Sequence, residues 1–295
     1  MHKVDRARVF ELMSEVIYKM NSNVIKLAEP DLLLEVKNLS KHFTVTSSKK
    51  ILKAVDDVSF GIQKNKIVGL VGESGSGKTT LGRSILRLIE PTSGQVHFGQ
   101  VNVTKLNNED MRLLRKEMQI IFQDPYGSLD PRMTVAQIIG EPLRTHCPEL
   151  SADEHNARVL AMMLRVGLTK QQINRYPHEF SGGQRQRICI ARAQALNPSF
   201  LIFDESVSAL DVSVQSQVLN LLNDLRKEFG FTAIFISHDL SVVRFISDRI
   251  VVMNKGKIVE EGLSDDIWFS PQNEYTKKLI AAIPGKIGIV KSNGN

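Results

Sequence analysis

Cysteine, aromatic residues and long apolar runs are all scarce in this chain of 295 residues. Its two cysteines, Cys147 and Cys189, lack metal-like spacing and indicate reduced thiols in a cytoplasmic setting. No apolar run approaches the ~18 residues that cross a bilayer, and no signal-peptide pattern opens the chain. The net charge of +6 is mild, so it is compatible with nucleic acid or a membrane surface but requires neither partner.

Short apolar runs and helical patterns alternate along almost the whole chain. This alternation predicts an α/β fold with a mainly parallel sheet. The length is that of one domain of ordinary size with extensions, which is enough to bury a core.

A glycine-rich loop, GESGSGKTT, occupies residues 72–80 and follows the apolar run 66–71. Successive glycines let backbone N–H groups cradle phosphate oxygens, and a helix start adds its positive dipole end. We expect Lys78 to reach the β- and γ-phosphates and the Thr79 hydroxyl to ligate Mg²⁺. A Gly/Ser turn that happens to carry a lysine is the alternative, and the strand–loop–helix setting disfavours it. Apolar residues recur after the loop at helical spacing, namely Leu81, Ile85 and Leu88.

A second anion-binding helix start is predicted at residues 180–187, which read FSGGQRQR. Ser181 is a natural N-cap residue, and the glycines after it allow close backbone approach. A helical pattern continues from there to Ala195. An ordinary capped turn is the alternative, which the position between the phosphate loop and the next motif disfavours.

Two carboxylates end the buried-strand pattern FLIFDE at residues 200–205. In phosphate-loop enzymes an Asp at this place orients Mg²⁺, so we assign Asp204 to the metal. The adjacent Glu205 is placed to polarise the attacking water as a general base. A solvated strand cap is the usual role of such a pair, but Lys78 and Thr79 favour the catalytic interpretation.

These three motifs together resemble those of ATP-binding-cassette (ABC) proteins. The resemblance implies a phosphate-loop NTPase with a mainly parallel core sheet, an antiparallel β subdomain and a helical subdomain that carries the SGGQ signature. It implies ATP and Mg²⁺ as cofactors. Catalysis is assigned to Lys78, Glu205 and His238, and the metal to Thr79, Gln123 and Asp204. The nucleotide-binding residues that it implies are Phe43, Gly72, Ser74, Gly75, Ser76, Gly77, Lys78, Thr79, Thr80, Gln123, Ser181, Gly182, Gly183, Gln184 and Asp211.

Four of these assignments depend on smaller features. Gln123, after the run 118–122, resembles the glutamine that contacts Mg²⁺ and senses the γ-phosphate. His238 resembles the histidine that hydrogen-bonds the γ-phosphate, and Asp211 belongs to a loop that resembles the one between the two ATP sites of ABC dimers. Phe43 is a candidate for stacking on adenine, with a place in the core as the alternative.

The motifs divide the chain into three parts. Residues 1–30 are expected to form an extension, in which 10–18 are either a short amphipathic helix or part of a disordered or loosely docked segment. Residues 31–264 form the ATP-binding domain, with a helical subdomain at about 125–195, and residues 265–295 form a tail. Within the domain, a hairpin is predicted around the turn Lys255-Gly256.

The family resemblance implies a mechanism in two half-sites. The Ser181 helix start is expected to lie far from the ATP of its own chain, so a second chain brings its signature to the γ-phosphate. The implied dimer is head-to-tail and closes over two ATP molecules. Hydrolysis then reopens it.

Four further segments are similar to the ATPase subunits of bacterial oligopeptide, dipeptide and nickel importers. The similarity implies a peripheral protein on the cytoplasmic face of the cell membrane, bound to two integral membrane permease subunits. It also implies an identical or paralogous second ATPase subunit and, indirectly, an extracytoplasmic substrate-binding protein. The cargo would be peptides or nickel and other metal chelates, and no nucleic acid is expected. The segments are 124–132, 138–144, 175–180 and 270–279.

The alternative class is a soluble ABC ATPase that acts on nucleic acid or ribosomes. Such members usually carry two cassettes or a long coiled coil, whereas this chain has one phosphate loop, one signature and no heptad arm.

One departure from the family pattern is Ser206, at a position that is often proline. Because Glu205 and Asp211 are retained, we expect hydrolysis. Without a C-terminal cysteine cluster, we expect no iron–sulfur centre.

Overall fold

A computed structural model describes residues 32–45 and 50–283. The predicted extension 1–30, with its possible helix at 10–18, and residues 284–295 of the predicted tail lie outside these described residues. The strands are, in chain order, β1 (Leu32–Val45), β2 (Lys50–Gln63), β3 (Ile67–Val71), β4 (Ser93–Phe98), β5 (Val101–Asn102), β6 (Met118–Ile121), β7 (Phe200–Asp204), β8 (Thr232–Ser237), β9 (Arg249–Asn254) and β10 (Lys257–Leu263).

The helices alternate with these strands. They are α1 (Lys78–Ile85), α2 (Asn108–Leu114), α3 (Val135–His146), α4 (Ala152–Arg165), α5 (Gly182–Gln194), α6 (Val212–Phe229), α7 (Leu240–Ile246), α8 (Ser264–Phe269) and α9 (Glu274–Ala281). Short 3₁₀ turns lie at Val103–Lys105, Lys170–Gln172 and Pro177–Glu179.

A six-stranded sheet has the spatial order β10-β9-β3-β8-β7-β6. Every pairing from β9 to β6 is parallel, and only the β9–β10 hairpin is antiparallel. The hairpin confirms the turn predicted at Lys255-Gly256. Parallel pairing brings the carboxyl ends of β3, β8, β7 and β6 to one edge of the sheet.

The central strands β3, β7 and β8 are buried on both faces. In β7, Leu201 and Phe203 join an apolar core with the helices on one side. Phe200 and Ile202 join a second core with α1 and the antiparallel sheet on the other side. Successive side chains of a strand point to opposite faces, so an unbroken apolar run is what a doubly covered strand requires.

The second sheet is antiparallel, with the order β2-β1-β4-β5. Its long β1–β2 ribbon contains several register shifts and pairs Phe43 with Leu52. This arrangement agrees with the predicted antiparallel β part of the fold.

The segment between β6 and β7 contains no strand among the described residues and consists of α3, α4, α5 and short turns. Capping boxes begin these helices at Thr134, Ser151 and Ser181. The predicted N-cap at Ser181 is therefore confirmed. None of the helices in the described segments has the length and hydropathy needed to span a bilayer.

The helix after the glycine-rich loop is shorter than the predicted pattern. It ends at Ile85, and Leu88 is 42% exposed rather than part of the buried face. Arg87 adopts a positive φ of 52°, and the N–H of Leu88 donates back to the carbonyl of Arg83 at 2.8 Å. The Arg87 side chain donates to the carbonyl of Leu106 at 2.6 Å, so tertiary contacts stabilise this helix end.

Gly69 of β3 provides a test of how closely α7 packs on the sheet. A Cβ at Gly69 would lie 1.9 Å from Cγ1 of Val243 and 2.7 Å from Oγ of Ser247. We expect Gly69→Ala to lower the free energy of unfolding by about 1–3 kcal/mol, measured by urea denaturation, because the overpacked helix must move.

Gly61→Ala is the matched control, because its Cβ would meet only the flexible Leu32 side chain, at 3.0 Å. A smaller loss of stability is expected there. Equal stability of the two variants would contradict the described packing of α7 on β3.

Candidate functional site

The candidate site lies where the parallel strands end. The glycine-rich loop follows β3, Asp204 ends β7 with Glu205 directly after it, and His238 follows β8. Gln123 lies two residues beyond β6. The sheet therefore brings four distant parts of the sequence together at its carboxyl edge, where ligands bind in open α/β sheets.

The loop leads into an uncapped helix. Gly77, immediately before α1, has a φ of 104°, and a Cβ there would lie 2.0 Å from the carbonyl oxygen of Ala54. Only glycine fits both conditions. The first turn of α1 has neither a side-chain cap nor an acidic residue. Its N–H groups and positive dipole end therefore suit an anionic ligand such as phosphate.

Lys78 is buried, and its ammonium group turns back onto the loop. Nζ donates to the carbonyls of Gly72 at 2.8 Å and Glu73 at 2.9 Å. Burial lowers the pKa of Lys78 from its ordinary value, and the charges of Glu205 and Asp204 oppose this shift. A phosphate here would give the buried cation a charged partner.

Asp204 is 2% exposed and faces α1. The Thr79 hydroxyl donates to Oδ1 at 2.8 Å, and Nη2 of Arg83 lies 3.7 Å from Oδ2. Burial raises the pKa of Asp204, and the hydrogen bond from Thr79 acts in the opposite direction. A carboxylate beside a hydroxyl is the oxygen donor set that suits Mg²⁺.

Glu205 lies between two of the other predicted residues. Nε2 of Gln123 donates to Oε2 of Glu205 at 3.0 Å, and Nδ1 of His238 lies 3.5 Å from the same oxygen. The backbone of Glu205 has a φ of 47°, which is uncommon for a residue with a side chain. Its N–H donates to Ile236 of β8 and its carbonyl accepts from the Ser208 hydroxyl, so hydrogen bonds on both sides hold this conformation.

The signature residues lie on another part of the molecule. Ser181 caps α5 in a reciprocal pair with Gln184, and a Cβ at Gly183 would lie 2.3 Å from Cγ1 of Val214 on α6. Asp211 caps α6 by accepting from the N–H of Val214, which lowers the pKa of Asp211. Within the described segments, no recorded hydrogen bond or ion pair joins residues 181–184 to Lys78 or Asp204.

Phe43 lies on β1, half-buried, beside Lys41, whose Nζ is 4.9 Å from the ring centroid. It belongs to neither apolar core, which argues against the core alternative for this residue.

In the glycine-rich loop, Ser74 and Gly75 are exposed, Ser76 is buried and Thr80 is half-buried.

Two residues of the site were absent from the sequence prediction. Arg83 lies one helical turn after Thr79, so the four-residue spacing could have indicated that both face Asp204. Tyr275 accepts a hydrogen bond from the N–H of Glu73 at 3.0 Å, across 202 residues of sequence. No local pattern indicates that contact.

Comparison with known proteins identifies related sequences over most of the chain. The family model described as ABC transporter matches residues 55–208. The chain is 53% identical over 253 residues to the oligopeptide transport ATP-binding protein OppF of Bacillus subtilis (strain 168), covering 85% of this chain and 82% of that protein. It is 49% identical over 259 residues to OppF of Escherichia coli (strain K12), covering 85% and 78%.

Solved structures have the same fold. The ATP-binding cassette MJ0796, a dimer in a post-hydrolysis state bound to ADP and Pi, is similar with a TM-score of 0.71 and 30% identity, covering 78% of this chain and 98% of that one. CbiO1 of Clostridium perfringens, part of the ABC transporter complex cbiONQ, is similar with a TM-score of 0.72 and 26% identity, covering 86% and 97%. These similarities confirm the predicted fold class.

The raised pKa of Asp204 leads to a prediction about stability. A carboxyl whose folded pKa lies above its unfolded value of 3.8 contributes stability at low pH that is lost as the pH rises through the folded pKa. At pH 7.5, well above the unfolded pKa, burial of this carboxyl therefore opposes folding. We expect Asp204→Asn to have a higher Tm than the parent in nucleotide-free protein at this pH, with the difference shrinking as the pH is lowered.

Asp224→Asn, which removes an exposed carboxylate of α6, controls for the loss of a surface charge. Calorimetry across pH 4 to 8 measures both variants. A lower Tm for Asp204→Asn at pH 7.5 would show that its hydrogen bonds outweigh its burial.

Proposed function

Because this chain belongs to the family of ABC transporter ATP-binding proteins, we propose that it is the ATP-hydrolysing subunit of a bacterial peptide importer. The observation that carries the proposal is the convergence of Lys78, Thr79, Asp204 and Glu205 at one sheet edge. The OppF relatives are oligopeptide transport proteins, which favours peptides as cargo. Nickel or another metal chelate, the second cargo class considered from the sequence, has no counterpart among the relatives named above.

ATP binds in this proposal with its phosphates against the glycine-rich loop. The N–H groups at the uncapped start of α1 donate to phosphate oxygens, and the loop from Gly72 to Gly77 allows close backbone approach. Lys78 exchanges its bonds to the loop carbonyls for bonds to the β- and γ-phosphates. Phe43 stacks on adenine at the exposed end of the β1–β2 ribbon.

Thr79, Asp204 and Gln123 are the residues that would hold Mg²⁺. The hydrogen-bonded Thr79–Asp204 pair would provide oxygen ligands, and Mg²⁺ would add a divalent partner for the carboxylate of Asp204, which Arg83 faces at 3.7 Å. Bound Mg²⁺ neutralises charge on the phosphates of the substrate.

Glu205 acts as the general base toward the attacking water. Gln123 and His238 both contact its Oε2, so the carboxylate is oriented while Oε1 is left to accept a hydrogen bond from the water. His238 is 57% exposed in its side chain and is able to turn toward the γ-phosphate of bound ATP. Positioning and charge stabilisation supply most of the catalysis of phosphoryl transfer.

A second cassette completes each site. The signature at residues 181–184 begins its own helix, and among the described residues it forms no hydrogen bond or ion pair with the phosphate loop of the same chain. A facing chain would bring its Ser181 helix start to the γ-phosphate, and Asp211, at the start of α6, would lie between the two sites. The dimeric state of the similar cassette MJ0796 supports this arrangement. The partner is either an identical or a paralogous ATPase subunit.

The transport assembly is proposed from the same relatives. In this assembly the ATPase lies at the cytoplasmic face of the membrane and binds two integral membrane permease subunits. An extracytoplasmic substrate-binding protein acts on the other side. The alternative of a soluble ATPase on nucleic acid or ribosomes has no support from the named relatives.

Residues 31–264 act as the ATP-binding unit, with a helical subdomain at about 125–195 and a tail from 265.

Glu205→Gln tests the general base. We expect ATP turnover of the assembled complex to fall about 10²- to 10⁴-fold, measured as phosphate release, because the amide cannot take a proton from water. ATP binding should persist, so an ATP-bound dimer should accumulate in size-exclusion chromatography. Glu109→Gln, at the exposed start of α2, is the control and should keep full turnover. Unchanged hydrolysis in Glu205→Gln would contradict the assignment.

Lys78→Ala tests the phosphate loop itself. Since charged hydrogen bonds to phosphate are lost, we expect the affinity for ATP to fall about 10- to 100-fold in titrations with a fluorescent ATP analogue. Lys64→Ala, in the exposed turn before β3, should bind normally. Full affinity in Lys78→Ala would mean that the loop does not bind the phosphates.

A further inference from the structure

The helix α9 contacts the phosphate-binding loop from the far end of the chain. The Tyr275 hydroxyl accepts a hydrogen bond from the N–H of Glu73, the second residue of the loop, at 3.0 Å. The carbonyl of Glu73 accepts from Nζ of Lys78 at 2.9 Å. Tyr275 and Lys78 therefore hold the same loop residue through its N–H and its carbonyl respectively.

The Tyr275 hydroxyl is presented by a firmly attached helix. Asn273 caps α9 by accepting from the N–H of Tyr275 at 2.9 Å. The Glu260 carboxylate of β10 accepts from the N–H groups of Gln272 at 2.7 Å and Asn273 at 3.2 Å. Thr276, the next residue, is fully buried. The phenol is thus fixed in position before any ligand arrives.

The phenol is chemically suited to this contact. Tyr275 is half-buried, and burial raises the pKa of its hydroxyl above the ordinary value. The group is therefore neutral at physiological pH, and its oxygen accepts the N–H of Glu73 without adding a negative charge next to the phosphates. An acidic acceptor in the same place would repel ATP.

We propose that Tyr275 is a positioning residue of the ATP site, which holds Glu73 so that the loop is already shaped for phosphate when Lys78 releases its carbonyl. The inference rests on the proposed function, because it assumes that the loop binds ATP. It assigns the segment after the cassette a role in nucleotide binding. When Lys78 turns to the phosphates, the Glu73 carbonyl loses its partner and Tyr275 retains its hold on the N–H.

Tyr275→Phe tests the proposal, because it removes the hydroxyl and keeps the ring. We expect the affinity for a fluorescent ATP analogue with Mg²⁺ to fall about 2- to 10-fold, the effect of one lost hydrogen bond. In the assembled complex the KM for ATP should rise by the same factor with kcat nearly unchanged. Hydrogen exchange of the Glu73 amide should become faster in nucleotide-free protein.

Two controls separate positioning from folding. Tyr176→Phe removes the hydroxyl of an exposed tyrosine whose ring stacks on His178, and it should bind ATP as the parent does. Thr276→Val alters the same helix at a buried hydroxyl that makes no hydrogen bond to the described residues, so it should change Tm but not ATP affinity.

The proposed function and the positioning role of Tyr275 are contradicted by different results. If the parent chain does not bind the analogue, the proposed function fails. If the parent binds and Tyr275→Phe binds equally well with unchanged Glu73 exchange, the positioning role is overturned. Loss of affinity in Thr276→Val to the same extent as in Tyr275→Phe would also overturn it, since docking of α9 would then be the cause.

Discussion

The parallel pairing of β3, β8, β7 and β6 determines where the phosphate loop, Asp204, Glu205 and His238 lie. Each strand is hydrogen-bonded to its neighbour in register, and both faces of the sheet are covered by apolar cores. A shift of one residue in any strand would exchange the residues of the two cores. The register is therefore strongly specified, and with it the meeting of Lys78, Glu205 and His238 at the carboxyl edge.

That meeting concentrates charge in a site where burial opposes it. Burial lowers the pKa of Lys78 and raises that of Asp204. In the nucleotide-free protein, burial therefore disfavours the charged form of both groups. Hydrogen bonds to loop carbonyls partly offset the effect of burial on Lys78, and contacts with Thr79 and Arg83 partly offset it for Asp204. A phosphate beside Lys78 and a divalent cation beside Asp204 would each add a further opposite charge. The site is preorganised for the nucleotide at some cost to the stability of the empty protein.

The fold and the positions of the phosphate loop and of Asp204 were predictable because these motifs depend on local chemistry, whereas the roles given to Gln123 and His238 depend on the family resemblance. A buried strand, a glycine turn and a helix start predict the phosphate loop, and the strand ending at Asp204 is recognisable from its apolar run. Contacts that depend on tertiary structure were not predictable. The helix end before Leu88 depends on bonds from Arg87 to another segment, and the link from Tyr275 to Glu73 spans 202 residues.

An ATPase that works on a membrane transporter is bound to membrane subunits in the cell. The most direct measurement is gentle extraction of the tagged chain from its native membranes, followed by mass spectrometry of the purified complex. We expect two polytopic membrane proteins together with this chain and a second cassette, identical or paralogous. Recovery with ribosomes or nucleic acid, or without any membrane partner, would contradict the importer while leaving the ATP chemistry in place.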